Sequence, residues 1–249
     1  IVMLLFRPFR NLSWSRWLVA GISLLVLWSF AFITGLSPSV LRAVTMFSFI
    51  SIAKPFGRRT SIYNTLAASA FILLWADPYL TMSVGFQLSY LAVLGIVAIH
   101  RPLYQWWEPR NAVLDWVWNI SCVSIAAQLA TFSLGLLYFH QFPVYFLFSN
   151  LFVIPGAILV LLSSILVIAT SALPVLPGIF GVLLKGLAQL LNFAVFSFEK
   201  LPYGLVNDIY ITTLQCWLLM LAIGFFLLLV YKKKFYLMVA SFGCVVAFS

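Results

Sequence analysis

The sequence predicts an all-α, polytopic transmembrane helical bundle of about eight to nine membrane segments, some of them broken or amphipathic. Three observations carry that prediction. The 249 residues are 64% hydrophobic and only 8% charged, against roughly 45–50% apolar and about 25% charged in an ordinary soluble domain. Apolar runs of spanning length recur along the whole chain. The basic residues between those runs are distributed as a membrane imposes and a soluble globule does not. With 14 Lys+Arg and 5 Asp+Glu, the chain lacks the charge to cover a soluble surface. A soluble enzyme, a disordered tail and a disulfide-stapled secreted scaffold are excluded.

A spanning helix needs roughly 20 apolar residues. By that length the segments are 17–35, 38–53, 61–76, 83–99, 113–139, 143–172, 178–198, 212–231 and 235–249. The second is short. The sixth is too long for one simple span and contains Pro155, so it is either a kinked helix or a re-entrant pair. The chain opens and closes inside apolar sequence, and residues 1–249 are expected to be one membrane domain truncated at both ends. No cleavable signal peptide is visible.

Charge orients this list. With the N-terminus inside and one crossing per segment, the inner loops carry Arg7, Arg10, Arg16, Lys54, Arg58, Arg59, Arg101, Arg110, Lys232, Lys233 and Lys234. Only Lys200 falls in an outer loop, and Arg42 and Lys185 lie within segments. That is the positive-inside pattern. Trp14, Trp17, Trp75 and Tyr79 mark span ends as interfacial anchors. Trp106 and Trp107 suggest a short interfacial helix in the 100–112 loop. The net charge of +9 follows from topology; a basic inner face that attracts polyanions is the alternative reading.

Polar residues at membrane depth are the informative ones, because burying them is costly without a partner. In Ser37-Pro38-Ser39-Val40-Leu41-Arg42, Ser37 is placed to cap a helix and Pro38 fits its first turn. Arg42 follows one turn in, and either snorkels to the interface or faces a water-filled path. Asp77-Pro78 ends the third segment, where a turn or cap role outweighs catalysis for a lone carboxylate. Gly85-Phe86-Gln87 opens the fourth, with Gln87 suited to bonding a neighbouring helix and Gly85 to close approach. Ser121, Ser124, Gln128, Thr131 and Gly135 are spaced 3, 4, 3 and 4 apart, which puts them on one helix face. That face either packs on another helix or lines an aqueous path. Asn150, with Pro155-Gly156 beyond it, suggests a helix break at depth, which must be buried in protein or line a cavity.

Cys122, Cys216 and Cys244 are widely spaced within apolar runs, so neither a metal site nor a disulfide framework is expected. His100 and His140 fall on opposite faces of the predicted topology. No triad, metal cluster or phosphate-cradling glycine loop is visible, so catalysis is not expected within these residues and no cofactor is implied.

Four ordered elements resemble the competence domain of the ComEC family of DNA-internalisation proteins. Gly35-Leu36-Ser37-Pro38-Ser39-Val40-Leu41-Arg42-Ala43 looks like its G-x-S-P-S-x-x-R-A element. Arg58-Arg59 followed by Asp77-Pro78 is similar to the next. Gly85-Phe86-Gln87-Leu88-Ser89-Tyr90-Leu91-Ala92-Val93 resembles G-F-Q-L-S-F-x-A-V, with Tyr90 in place of Phe. Phe142-Pro143, then Asn150-Leu151 and Ile154-Pro155, look like F-P…N-L-x-x-I-P. The resemblance covers about residues 35 to 160. It implies a bacterial inner-membrane channel that imports single-stranded DNA during natural transformation. Its partners would be the strand, the bilayer, a periplasmic DNA receptor and a cytoplasmic helicase or single-strand-binding protein. OB-like and metallo-β-lactamase-like domains of that family do not lie within these residues.

A strand carries one charge per nucleotide, so its path needs water and positive potential. Arg42, Gln87, Ser124, Gln128, Thr131 and Asn150 are the candidates to line it. Asp77, Pro78, Gly85, Phe86 and Pro155 are candidate structural motif residues. Only Arg42 and Lys185 are basic within the spans, so no strongly basic tunnel is visible. The alternatives are a secondary transporter of a small anionic or amphiphilic solute, and a membrane anchor for an appended catalytic domain.

Overall fold

The computed structural model describes residues 13–56, 60–107, 109–171, 176–201, 204–232 and 235–248. Arg7, Arg10, Arg58, Arg59, Lys233 and Lys234, used above to orient the chain, lie outside them. Nine α-helices fill the described residues: α1 Ser13–Ile33, α2 Pro38–Ala53, α3 Ile62–Ala76, α4 Val84–Tyr104, α5 Ala112–Phe139, α6 Phe146–Ala169, α7 Leu176–Glu199, α8 Thr213–Lys232 and α9 Phe235–Phe248. All nine coincide with predicted segments. Two-residue strands β1 (Phe142–Pro143) and β2 (Leu205–Val206) and the 3-10 turn Pro78–Met82 complete the list.

The number of long spans is lower than predicted. Among the described residues, four helices are long and apolar enough to cross a membrane: Val84–Tyr104, Ala112–Phe139, Phe146–Ala169 and Pro177–Glu199. α1 and α8 run 21 and 20 residues in all, whereas α2 and α3 have 16 and 15. At about 1.5 Å rise per residue α2 and α3 fall short of a core about 30 Å thick, and α1 and α8 just reach it.

Burial is inverted relative to a soluble protein. The buried positions are mostly small, among them Ala31, Val44, Ser69, Cys122, Ser124 and Ala126, while Leu25, Ile33, Phe71 and Phe193 are exposed. Helices in lipid associate through small side chains that let backbones approach, and keep large apolar ones outward.

The chain divides into two compact units, Ile1–Val97 and Ala98–Ser249. In the first, α1 packs on α2 and α2 on α3. The α1–α2 turn is a Schellman motif: Leu36 N–H donates to Ala31 O (2.9 Å) and Gly35 N–H to Phe32 O (3.2 Å), with Gly35 at φ +76° and Leu36 at +53°. Glycine suits the first of these left-handed positions because it has no Cβ to clash. Pro38 then opens α2, but the Ser37 hydroxyl makes no cap bond. The backbone carbonyl of Ser37 accepts instead, from Leu41 N–H (2.9 Å).

In the second unit, α6 and α7 form one antiparallel hairpin and α8 and α9 another, with α5 packed on both α6 and α8. Leu136, Ile211 and Cys216 form the core of the α5–α8 contact. Thr212 and Gln215 make a reciprocal capping box at the start of α8, which satisfies two orphan N–H groups. β1 pairs antiparallel with β2, Phe142 opposite Val206 and Pro143 opposite Leu205. This ribbon joins the α5–α6 and α7–α8 connections and has no period long enough to be seen in sequence.

Three local expectations change. α6 is one continuous helix across Pro155, so there is neither a re-entrant pair nor a break after Asn150. Proline removes one backbone bond, which a transmembrane helix tolerates. α4 runs through Pro102 to Tyr104, beyond the predicted end at 99. Residues 105 and 106 form a turn and Trp107 packs edge-on against Trp118 (5.5 Å), so no separate interfacial helix forms at Trp106 and Trp107.

Candidate functional site

In the first unit, the polar candidates gather on α2, α3 and α4. Arg42 is half-buried on α2. Its guanidinium carbon lies over the Tyr90 ring, 5.9 Å from the centroid, within cation–π range. Nη1 meets only the Met46 thioether (3.9 Å), a weak acceptor, and Nε is buried with no hydrogen-bond partner. The charge is held by a π face and a sulfur, with no carboxylate paired to it among the described residues.

Tyr90 is itself fixed. Ser69 Oγ donates to Leu66 O (2.8 Å), so the Tyr90 hydroxyl, 2.9 Å away, donates to Ser69. Phe86 is buried and packs on Tyr90 at 4.4 Å. The one departure from the resembled motif, Tyr for Phe, therefore supplies the hydroxyl that links α4 to α3. Ser69 was not singled out in the sequence, because a serine among alanines reads as a packing residue.

Asp77, Pro78, Gly85 and Gln87 build the turn that enters α4. Asp77 Oδ1 accepts from Tyr79 N–H (3.0 Å) and caps the 3-10 turn Pro78–Met82, with Pro78 in its first position. Gln87 Nε2 donates to Thr81 O (2.7 Å), inside this turn. Ser39 Oγ donates to Gly85 O (3.4 Å). A Cβ at Gly85 would meet Ser39 Oγ at 3.8 Å, an ordinary contact, so close approach does not require glycine here.

In the second unit, the α5 stripe is divided. Helical geometry puts Cys122, Ala126, Ser133 and Leu136, all buried, on the side opposite the stripe. On the stripe itself Ser124 is buried and its hydroxyl has no partner among the described residues. Thr131 Oγ1 donates back to Ala127 O (2.9 Å), and Ser121 Oγ back to Val117 O (2.9 Å). A Cβ at Gly135 would meet nothing within 4 Å.

Gln128 faces a cavity of about 370 Å³, together with Tyr145, Ser149, Asn150, Phe198 and Glu199. Two candidates 22 residues apart in sequence thus meet, Gln128 from α5 and Asn150 from α6. Neither carboxamide is hydrogen-bonded to a described residue. Ser124 and Thr131 do not line this cavity. Glu199, from the end of α7, was not singled out in the sequence, and a lone acid at a helix end carries no signal there. The ribbon borders the cavity, since Pro143, Gly204 and Leu205 also line it. Gly204 N–H donates to Leu201 O (3.0 Å) and Val144 N–H to Gly204 O (3.0 Å).

The chain is similar over 185 residues, at 26% identity, to ComE operon protein 3 of Bacillus subtilis (strain 168), covering 74% of this chain and 21% of that protein. The chain therefore spans about a fifth of the length of that relative. No solved structure matches it. A family model described as Competence protein matches residues 1–235, which include all the candidate residues above. This helical membrane protein belongs to the Competence protein family.

Proposed function

We propose that this chain forms a channel for importing single-stranded DNA across the bacterial inner membrane during natural transformation. The observation that carries the reading is Arg42: a cation on α2, within a family-matched segment, with no carboxylate paired to it among the described residues. A positive charge held without a carboxylate partner is suited to an anion that passes. Tyr90 and Met46 hold it without neutralising it.

The Arg42 cluster of the first unit and the Gln128–Asn150 cavity of the second are the proposed contacts with the strand. No catalytic step is assigned to these residues. The proposed orientation has the N-terminus of the chain cytoplasmic, on the distribution of Lys and Arg. A periplasmic receptor would deliver the strand, and a cytoplasmic helicase or single-strand-binding protein would receive it.

A secondary transporter of a small solute has one observation in its favour, the convergence of Gln128 and Asn150 on one cavity. Glu199 in the same lining disfavours an anionic solute, because like charges repel.

The test uses labelled double-stranded DNA on the native bacterium, with and without the gene. Protected cytoplasmic label and label held outside the inner membrane are counted separately. Deletion is expected to abolish cytoplasmic label while outer uptake persists. Unchanged cytoplasmic label in a competent strain overturns the channel reading.

A further inference from the structure

We propose that the cavity between α5, α6 and α7 is a nucleobase pocket, which takes a base of the passing strand and not its phosphates; the proposal rests on the DNA-import reading. The wall residues argue against phosphate. Among the described residues its lining includes no Lys or Arg, and Glu199 contributes a carboxylate. The part of a DNA strand that such a site accepts is the uncharged base.

The polar groups suit a base edge. Gln128 and Asn150 each present a carboxamide donor and acceptor, and neither is bonded to a described residue. Carboxamides pair with the mixed donor and acceptor edges of bases, and a carboxylate accepts from an exocyclic amine. The apolar walls suit a base face. Phe198 lines the cavity and is held by Phe152 at 5.8 Å. Phe146 lines it too and is held through Phe142, at 6.1 Å, which in turn packs on Phe132 at 5.2 Å. Aromatic platforms stack any base, whatever its sequence. The volume of about 370 Å³ lies within the range of small-ligand sites, about 300–1,000 Å³.

The pocket would give a moving strand a repeating, sequence-tolerant hold. Phosphates alone would slide past without register; a base that enters and leaves divides the passage into nucleotide steps.

The experiment compares a short fluorescent single strand of mixed sequence with an abasic strand of the same phosphate count. Both are titrated onto the full-length protein in lipid nanodiscs. The wild type is expected to bind the base-bearing strand on the order of tenfold more tightly, the scale of stacking one base. Gln128→Leu and Asn150→Leu are each expected to bring that ratio towards one without changing affinity for the abasic strand. Arg42→Ala is expected to weaken both strands alike. Equal wild-type affinity for the two strands overturns the pocket and leaves the import reading intact. A wild-type preference that both Leu variants retain also overturns it, by placing the base contact elsewhere. Failure of the wild type to bind either strand overturns the import reading, and the pocket with it. If Gln128→Leu fails to accumulate, the wild-type ratio and Asn150→Leu still decide.

Discussion

The guanidinium of Arg42 on α2 sits over the ring of Tyr90 on α4, 5.9 Å from its centroid, and the Tyr90 hydroxyl is tied to Ser69 on α3. One aromatic side chain thus positions the cation and joins three helices. Arg42→Ala in the full-length protein is expected to lower DNA import about tenfold, the scale of one charge-assisted contact, at unchanged membrane level. Tyr90→Phe keeps the π face and loses only the Ser69 bond, so its effect should be smaller; Tyr90→Leu loses both. Transformation frequency normalised to immunoblot checks the order. Equal import by Arg42→Ala at equal protein level removes Arg42 from the path.

On α5 the stripe and the packing side are opposed, which separates two kinds of loss. Gln128→Leu should reduce import per molecule, because Gln128 lines the cavity. Leu129→Ala falls on the packing side with Ala126 and Ser133. It should act through stability, by roughly 2–3 kcal/mol for a packed leucine, and so through protein amount. Import measured per unit of membrane protein should rank Gln128→Leu as the more impaired, and the reverse ranking would assign the stripe to the wrong face.

Gly204 leaves little room for a side chain. A Cβ there would lie 3.0 Å from the carbonyl oxygens of Leu201 and Phe198 and 3.2 Å from that of Glu199. These are backbone atoms at the end of α7, which cannot rotate away. Gly204→Ala should cost about 1–3 kcal/mol, as overpacking does, and lower the thermal midpoint of the detergent-solubilised protein. Gly135→Ala and Gly186→Ala, with open space around the Cβ, should leave that midpoint nearly unchanged.

Gly35 is a different case, of conformation and not of space. Nothing lies within 4 Å of its Cβ position, but φ is +76°. Gly35→Ala should cost about 1–2 kcal/mol for the left-handed backbone. The penalty is read as a fall in thermal midpoint, with Arg42-dependent import falling alongside if the turn sets the start of α2.

The proposed orientation is open to a direct test by cysteine labelling. With Cys122, Cys216 and Cys244 replaced by alanine, Lys54→Cys should react with a membrane-impermeant maleimide only after the cytoplasmic face is opened. Lys200→Cys should react from the outside. Labelling of both from one side would break the alternation that the basic residues imply.

Helix positions were legible because they depend on local quantities. Apolar run length, Gly35 with Pro38, and the Asp77-Pro78 stop are all contained within a few residues, and each helix formed where those signals stood. Pro155 misled for the same reason. Read locally it is a helix breaker, but within α6 the flanking apolar residues sustain the helix and Gly156 lies close against Leu191 of α7, so packing outweighs one lost hydrogen bond.

The candidate site was legible only in part. Gln128 and Asn150 were identifiable as polar groups at membrane depth, since desolvation makes any such residue conspicuous. The sequence by itself determined the membrane class, the order of the helices and which residues were too polar to face lipid, because composition and helical period are properties of short stretches. Only the tertiary structure decided which of those residues meet. The β1–β2 ribbon, close-packed at Gly204, brings the ends of α5, α6 and α7 to one cavity, and Tyr90 brings Ser69 and Arg42 to one ring. Those contacts join residues tens of positions apart, and such pairings are set by how helices close on one another, which no local spacing encodes.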